Sequence, residues 1–172
     1  MIGQDRKVRE MSQTKDKPEL LAVIRLRGTI NVHYNVRETL KMLNIRRSNY
    51  MSLVPNTSSY MGMLKKAKDY LTWGEVSQEA LEYVLTKRGE LPGRTKISNK
   101  YLKENSSYTT IKALSKALVN GETSLGDITG LKKFFRLHPA SKGYKSMKRG
   151  FAEGGDLGYR GNTINELIIR MS

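Results

Sequence analysis

Apolar residues recur at every second position in three short segments of the chain, and this spacing predicts three β-strands. In "LLAVIRLRG", Ile24 and Leu26 alternate with Arg25 and Arg27, which indicates a strand with one side facing solvent. Gly28 is expected to end this strand. Two further strands are predicted at 50–55, "YMSLVP", and at 70–76, "YLTWGEV".

The segments between these strands carry helical patterns. In "NVRETLKMLN", Asn35 is predicted to cap a helix, with Glu38 reaching back to complete a capping box and Asn44 stopping the helix. In "SYMGMLKKAKDY", a second helix is predicted after a cap at Thr57 or Ser58. This part of the chain therefore reads β-α-β-α-β, with helices on one face of a small sheet, so that the other face stays polar or meets another element.

The rest of the chain carries weaker signals. Ser77 is predicted to cap a helix over "QEALEYVLTKR", a Gly/Pro loop follows at 89–104, and "TTIKALSKALVNG" predicts another short helix. Residues 139–161 show almost no helix or strand pattern. Because loops this long inside compact domains are usually functional or disordered, we expect a partner to give this segment its shape.

The chain is strongly basic. Its 172 residues contain 31 Lys+Arg against 16 Asp+Glu, a net charge of +15, and a field of that sign attracts polyanions. We expect nucleic acid rather than a membrane as the partner, because no apolar stretch approaches the roughly 20 residues that a spanning helix needs. The lack of cysteine excludes disulfides, thiolate nucleophiles and cysteine zinc sites.

The densest positive charge lies in residues 131–152, which contain no acidic residue. Uncompensated like charges repel one another, so a polyanion is expected to neutralise them, and aromatic rings among them can stack on unpaired bases. His138 is predicted to contact a phosphate or a sugar. The cations are Lys132, Lys133, Arg136, Lys142, Lys145, Lys148 and Arg149, and the aromatic residues are Tyr144, Phe151 and the core candidates Phe134 and Phe135.

The segment "GGDLGYRG" is rich in glycine. It does not match the loop of a mononucleotide site, because Gly-Lys occurs nowhere in the chain, nor the G-x-G-x-x-G pattern of a dinucleotide site. Two explanations stay open for Gly155 and Gly158. Their backbone lies against RNA beside Tyr159 and Arg160, or it forms internal turns that need positive φ. The RNA explanation is favoured.

Catalytic chemistry has no support in the sequence. His33 and His138 have no catalytic or ligand motif around them, and Glu153 and Asp156 have no second acidic cluster with which to hold two metal ions. We therefore predict no enzyme, no cofactor, no metal site and no small-molecule substrate. An RNA-modifying enzyme or nuclease and a DNA-binding chromatin protein are the alternatives.

Two long stretches of the chain resemble a known family. "LAVIRLRGTINVHYNVRETLKMLNIRRSNYMSLVPNTSSYMGMLKKAKDYLTWGE" resembles the universal large-subunit ribosomal protein called L-thirty in bacteria and archaea and L-seven in eukaryotes. "FRLHPASKGYKSMKRGFAEGGDLGYRGNTINELI" resembles the C-terminal extension of its archaeal and eukaryotic members. This extension makes the chain similar to the archaeal-length form, and the 17-residue N-terminal arm departs from the much longer basic N-terminal helix of the eukaryotic form.

The resemblance implies a structural protein of the large ribosomal subunit, located in the cytoplasm within the ribosome. It implies large-subunit rRNA as a partner, with 5S rRNA as a further candidate, and neighbouring ribosomal proteins. Binding would combine charge neutralisation, stacking and backbone contacts. The positions that match the family's rRNA contacts are Arg27, Gly28, Thr29, His33, Arg46, Arg47, Ser48, Asn49, Lys65, Lys66, Arg136, His138, Pro139, Gly143, Lys148, Arg149 and the glycine stretch.

The predicted fold class is α+β. It combines a split β-α-β, ferredoxin-like unit, with helices on one face of a small sheet, and a helical and irregular C-terminal extension. The predicted divisions are a flexible N-terminal arm at 1–17, an rRNA-binding core at 18–76, a helical insertion at 77–130 and a basic, Gly-rich rRNA-binding extension at 131–172.

Overall fold

The computed structural model describes residues 19–172, so the predicted arm lies outside the described residues. In this part of the chain five strands form one sheet: β1 (Leu20–Arg25), β2 (Tyr50–Pro55), β3 (Leu71–Glu75), β4 (Phe134–Arg136) and β5 (Gly158–Tyr159). Their spatial order is β4-β2-β1-β3-β5. β1 pairs antiparallel with β2 and β3, β2 pairs antiparallel with β4, and β3 pairs parallel with β5.

The first three strands confirm the predicted strands. β1 differs from the expectation in one respect, because it has no solvent-facing side and Arg25 is only 1% exposed. The unbroken apolar run from Leu21 to Ile24 is typical of a strand that is buried on both faces. The alternation around Arg25 therefore predicted the strand correctly but wrongly predicted that one of its sides faces solvent.

Six α-helices accompany this sheet in residues 19–172: α1 (Tyr34–Met42), α2 (Ser58–Lys66), α3 (Gln78–Arg88), α4 (Asn99–Asn105), α5 (Ile111–Val119) and α6 (Ile164–Met171). The predicted caps of α2 and α3 are confirmed. The side-chain oxygens of Thr57 and Ser77 accept hydrogen bonds from backbone N–H groups in the first turn of each helix.

The first helix begins differently from the prediction. Its cap is His33, whose Nδ1 accepts a hydrogen bond from the backbone N–H of Asn35 at 3.3 Å. The predicted capping box of Asn35 and Glu38 is therefore wrong. Beyond the end of the helix, Asn44 has a left-handed φ of 61°, which confirms that this asparagine stops α1.

The sheet is the middle layer of the fold. On one face, Val23 and Trp73 pack against Leu40 of α1 and Leu64 of α2. The other face carries a larger core, in which α3, α5 and α6 contribute buried residues. The β-α-β-α-β unit therefore has its helices on one face, as predicted, and the second half of the chain covers the face that the first half leaves open.

The second half also contains elements that the sequence pattern did not reveal. The predicted loop at 89–104 holds a 3-10 turn and most of α4. β4 and β5 have three and two residues, and such short strands give no detectable alternation. The expectation that 139–161 lacks structure of its own is wrong. Leu157 is buried in the core, and the backbone N–H of Arg160 donates to the carbonyl of Trp73 at 2.9 Å.

Internal packing explains the two glycines for which RNA contact was favoured. Gly155 is buried, and a Cβ there would overlap the carbonyl oxygen of Arg149. Gly158 has a φ of +81°, which strains other residues, and its carbonyl accepts a hydrogen bond from Thr72 Oγ1 at 3.0 Å. The internal-turn explanation therefore fits both positions.

Candidate nucleic-acid interface

The topology brings four basic segments to one end of the sheet. Because β1 runs antiparallel to β2 and β3, the loop after β1 lies beside the segments that precede β2 and β3. β4 ends, and β5 begins, at the same end of the sheet. We call this region the sheet-end surface and define it by residues 26–33, 44–49, 65–70 and 137–149.

Arg25 holds two of these segments together from the inside. Its Nε donates to the carbonyl of Arg27 at 2.9 Å, and its Nη2 donates to that of Gly28 at 2.8 Å. Its Nη1 donates to the carbonyls of Ile45 and Arg46 at 3.3 and 2.6 Å. Burial lowers the pKa of Arg25 from its ordinary value. Sequence reasoning missed this role, although an arginine directly after an apolar run was a signal for it.

Asn49 joins the end of the first strand to the C-terminal extension. Its N–H donates to the carbonyl of Arg25 at 2.7 Å, and its carbonyl accepts from the N–H of Leu137 at 2.9 Å. Its Oδ1 accepts from the Tyr144 hydroxyl at 3.4 Å. Burial raises the pKa of that hydroxyl. The segment "NIRRSN" therefore has a fixed position beside the segment that follows β4.

An aromatic stack supports the same edge of the sheet. The rings of Tyr50 and Phe134 are stacked, with centroids 5.0 Å apart and planes 7° from parallel. The Arg136 Nε donates to the Tyr50 hydroxyl at 3.0 Å. Phe135 is only 1% exposed. Phe135 therefore packs inside the protein, whereas Phe134 is half-buried and has one face of its ring covered by Tyr50.

Arg27 joins the loop after β1 to the segment before β3. Its guanidinium lies 5.2 Å from the centre of the Tyr70 ring, and its Nη1 donates to the carbonyl of Asp69 at 3.1 Å. Lys65 and Lys66 occupy the last turn of α2 just before this segment, and both are exposed. The cations of the first strand's loop and of the second helix thus lie on one surface.

A tight turn in the extension carries another exposed cation. Arg170 of α6 donates from Nε and Nη2 to the carbonyl of Ser141 at 3.0 and 2.8 Å, and from Nη2 to that of Gly143 at 2.6 Å. Lys142, between them, has a φ of 67°, a conformation that is unfavourable for lysine. Residues held in such conformations occur preferentially at functional sites.

Most of the predicted contact residues lie exposed on the sheet-end surface. These exposed residues are Arg27, Gly28, Thr29, His33, Arg46, Arg47, Ser48, Lys65, Lys66, His138, Pro139, Lys142, Gly143, Lys145, Lys148 and Arg149. Asn49, Arg136 and Tyr144 are half-buried at its margin. The structure thus brings together residues that are more than 100 positions apart in the sequence.

Six predicted contact residues lie outside this surface: Lys132, Lys133, Gly155, Gly158, Tyr159 and Arg160. Lys132 Nζ forms an ion pair with Glu90 Oε2 at 2.8 Å. Lys133, which is exposed, precedes β4 and lies away from the sheet end. The Tyr159 hydroxyl donates to Glu75 Oε1 at 2.7 Å, at the opposite end of β3, and this hydrogen bond raises the pKa of Tyr159.

Arg160 is a correction to the predicted set. It is 7% exposed, its Nε donates to Thr72 Oγ1 at 2.8 Å, and its Nη2 pairs with Asp156 Oδ1 at 3.0 Å. These partners occupy the guanidinium inside the protein. We therefore assign Arg160 to the fold and not to an RNA contact, and the same holds for the buried Gly155.

The opposite end of the sheet has the opposite character. Glu19 precedes β1, Glu75 ends β3, and both line one depression in the surface. Glu122 and Asp127 line a neighbouring depression beside Pro55, the last residue of β2. The sheet-end surface, by contrast, contains ten Lys and Arg residues and one acidic residue, Asp69, and this difference in charge orients the protein toward a polyanion.

Residues 19–172 contain no group of three or more His, Asp or Glu side chains that could hold a metal ion. None of the helices in that range is long and apolar enough to cross a membrane.

The fold and its cationic sheet end define a small α+β protein suited to lie against a nucleic acid. Residues 21–71 match the model of the family described as ribosomal protein L30p/L7e. The chain is 47% identical to the large ribosomal subunit protein uL30 of Methanosphaera stadtmanae over 88% of this chain and 99% of the relative. It is 46% identical to that of Nanoarchaeum equitans, over 88% and 97%, and 44% identical to that of Archaeoglobus fulgidus, over 88% and 99%. The chain belongs to the L30p/L7e family, which confirms the resemblance to its archaeal-length members.

Proposed function

We propose that the sheet-end surface is where this chain binds and positions large-subunit rRNA. Membership of the family makes the chain a structural, non-enzymatic protein of the large ribosomal subunit, and places it in the cytoplasmic ribosome. The observation that carries the proposal is the convergence of separate basic segments on one end of the sheet, opposite an acidic end.

Charge neutralisation supplies most of the affinity in this account. Each lysine or arginine that contacts a phosphate releases counterions from the RNA, and the positions of these cations follow from the fold. The hydrogen bonds of Arg25 and Asn49 hold the loops in place before RNA arrives. Such fixed loops lose little conformational freedom on binding, which favours affinity.

Stacking and backbone contacts add to this electrostatic attraction. Phe151 is 38% exposed, and Tyr34 at the start of α1 is 64% exposed, so both rings can stack on unpaired bases. A Cβ added at Gly28 or Gly143 would have no neighbouring atom within 4 Å, so the backbone there is open to RNA. These contacts fix the RNA helices relative to one another.

A binding experiment with competing RNAs tests the proposal. Purified chain is mixed with large-subunit rRNA, 5S rRNA and small-subunit rRNA from an archaeon, and the bound RNA is recovered and quantified. The proposal predicts enrichment of large-subunit rRNA over small-subunit rRNA, and the recovery of 5S rRNA decides whether it is also a partner. Equal recovery of all three RNAs would contradict the proposal. So would equal recovery of large-subunit rRNA and of DNA that is added to the same mixture.

A further inference from the structure

The surface beside α1 contains an open pocket of about 290 Å³. Its lining comes from the end of β1, the loop that follows, α1 and the segment before β2. The residues are Arg25, Thr29, Arg37, Glu38, Lys41 and Arg46. Four cations therefore face one carboxylate, and a hydroxyl is the remaining polar side chain.

Arg25 forms the buried part of this pocket. A guanidinium has five N–H donors, and four of them go to the carbonyls of Arg27, Gly28, Ile45 and Arg46. The second N–H of Nη2 has no hydrogen-bond acceptor within residues 19–172. A charged group at 1% exposure with an unsatisfied donor is costly unless a partner supplies the missing hydrogen bond.

The charge of Arg25 is also uncompensated. Carbonyl oxygens satisfy its donors, but no carboxylate in the described chain forms an ion pair with it. The carboxylate in the pocket, Glu38, lies 3.6 Å from Lys41 and pairs with that lysine instead. An anion in the pocket would therefore gain charge-assisted hydrogen bonds that the protein itself does not provide.

We propose that this pocket is a subsite for one phosphodiester group of bound RNA, with the buried Arg25 at its base. Thr29 and Arg46 donate to the same group, and Arg37 and Lys41, at its rim, neutralise its charge. A phosphodiester fits because it presents two anionic oxygens to donors that converge from four directions. The identification of the phosphodiester as part of rRNA rests on the proposed function above.

A small probe tests the subsite without RNA. Dimethyl phosphate, a phosphodiester anion, is titrated against chloride at constant ionic strength, and the ¹H–¹⁵N signal of the Arg25 Nε–H is followed by NMR. The expected result is a saturable shift of this signal and of the Thr29 and Arg46 backbone amides. A shift that is linear in probe concentration, or equal with chloride, would overturn the proposal.

Variants at the rim of the pocket test the subsite without disturbing the fold. Arg37 and Lys41 are exposed, so replacing them should leave the protein folded. Arg37→Gln with Lys41→Gln should weaken dimethyl phosphate binding roughly tenfold. Glu38→Gln should strengthen it, since it removes the carboxylate and releases Lys41. The matched control is Lys112→Gln with Lys116→Gln on α5, which should change nothing. Equal weakening by the control pair would overturn the subsite.

Two outcomes separate this inference from the proposed function. If the chain prefers large-subunit rRNA and the rim pair changes neither the probe titration nor the rRNA affinity, the subsite is wrong and the proposed function stands. If the probe titrates as expected and the chain shows no preference for large-subunit rRNA, the anion subsite stands and its assignment to rRNA is wrong.

Discussion

Asp156 and Arg160 form an ion pair inside the protein, with Arg160 Nη2 3.0 Å from Asp156 Oδ1 and both side chains less than a tenth exposed. Asp156 Oδ2 also accepts from the N–H groups of Lys145 and Ser146 at 2.6 and 3.2 Å. Arg160 in turn bonds to Thr72 in β3. This pair therefore attaches both the glycine stretch and the basic segment before it to the sheet.

Breaking this pair should be strongly destabilising. Asp156→Ala leaves a buried guanidinium without its counterion and frees two backbone donors, so we expect a loss of about 3–5 kcal/mol in the free energy of unfolding. The control is Glu38→Ala, which removes an exposed pair with Lys41 and should cost under about 1 kcal/mol. Urea unfolding of both variants measures the difference. Equal losses would show that Asp156 is not a buried anchor.

The glycines of the extension should matter for stability before any RNA is present. Gly155→Ala places a Cβ onto the Arg149 carbonyl and should lower the melting temperature of the free protein by several degrees. Gly158→Val should also lower it, because a φ of +81° is strained for a branched side chain.

Gly62→Ala provides the matched control for these substitutions. Gly62 lies within α2, and no atom lies within 4 Å of a Cβ added there. Alanine favours helix over glycine by roughly 1 kcal/mol, so this variant should melt at a higher temperature. Unchanged melting of Gly155→Ala and Gly158→Val would revive the explanation that these glycines lie against RNA.

The ion pair of Lys132 and Glu90 should make stability depend on pH in the acid range. The hydrogen bond from Lys132 lowers the pKa of Glu90 from its ordinary value of 4.5. The group therefore contributes stability above pH 4.5 that is lost as the pH falls through the folded pKa. Between pH 6 and pH 3, the free energy of unfolding should fall by roughly 1 kcal/mol less in Glu90→Gln than in the unchanged protein. Urea unfolding of both proteins at the two pH values measures this difference. Equal losses in the two proteins would refute the prediction.

The first half of the fold could be predicted because its elements are long and locally specified. Alternation and cap residues such as Thr57 and Ser77 act within a few positions, so the sequence pattern carries them. The cap of α1 was not predicted, because the side chain of His33 has the capping role that asparagine usually has. β4 and β5 were not predicted, because these short segments form strands only by pairing with the edge strands β2 and β3.

The candidate site shows the same division. Exposed cations such as Lys145 and Lys148 could be identified from charge density, since solvated charge needs no partner inside the fold. Arg25 and Arg160 could not be assigned, because the sequence does not say whether an arginine meets solvent or the carbonyls and carboxylates of distant segments. Long-range contacts of that kind depend on tertiary structure alone.

The salt dependence of rRNA affinity decides whether the sheet-end surface is the rRNA-binding site. Two variants with the same change in charge are compared: Lys142, Lys145, Lys148 and Arg149 to Gln on the sheet-end surface, and Lys100, Lys103, Lys112 and Lys116 to Gln on α4 and α5. We expect the first variant to flatten the slope of log affinity against log salt concentration for large-subunit rRNA by about three units, and the second to leave it unchanged. An unchanged slope in the sheet-end variant, or equal flattening in both, would show that rRNA does not bind through this surface.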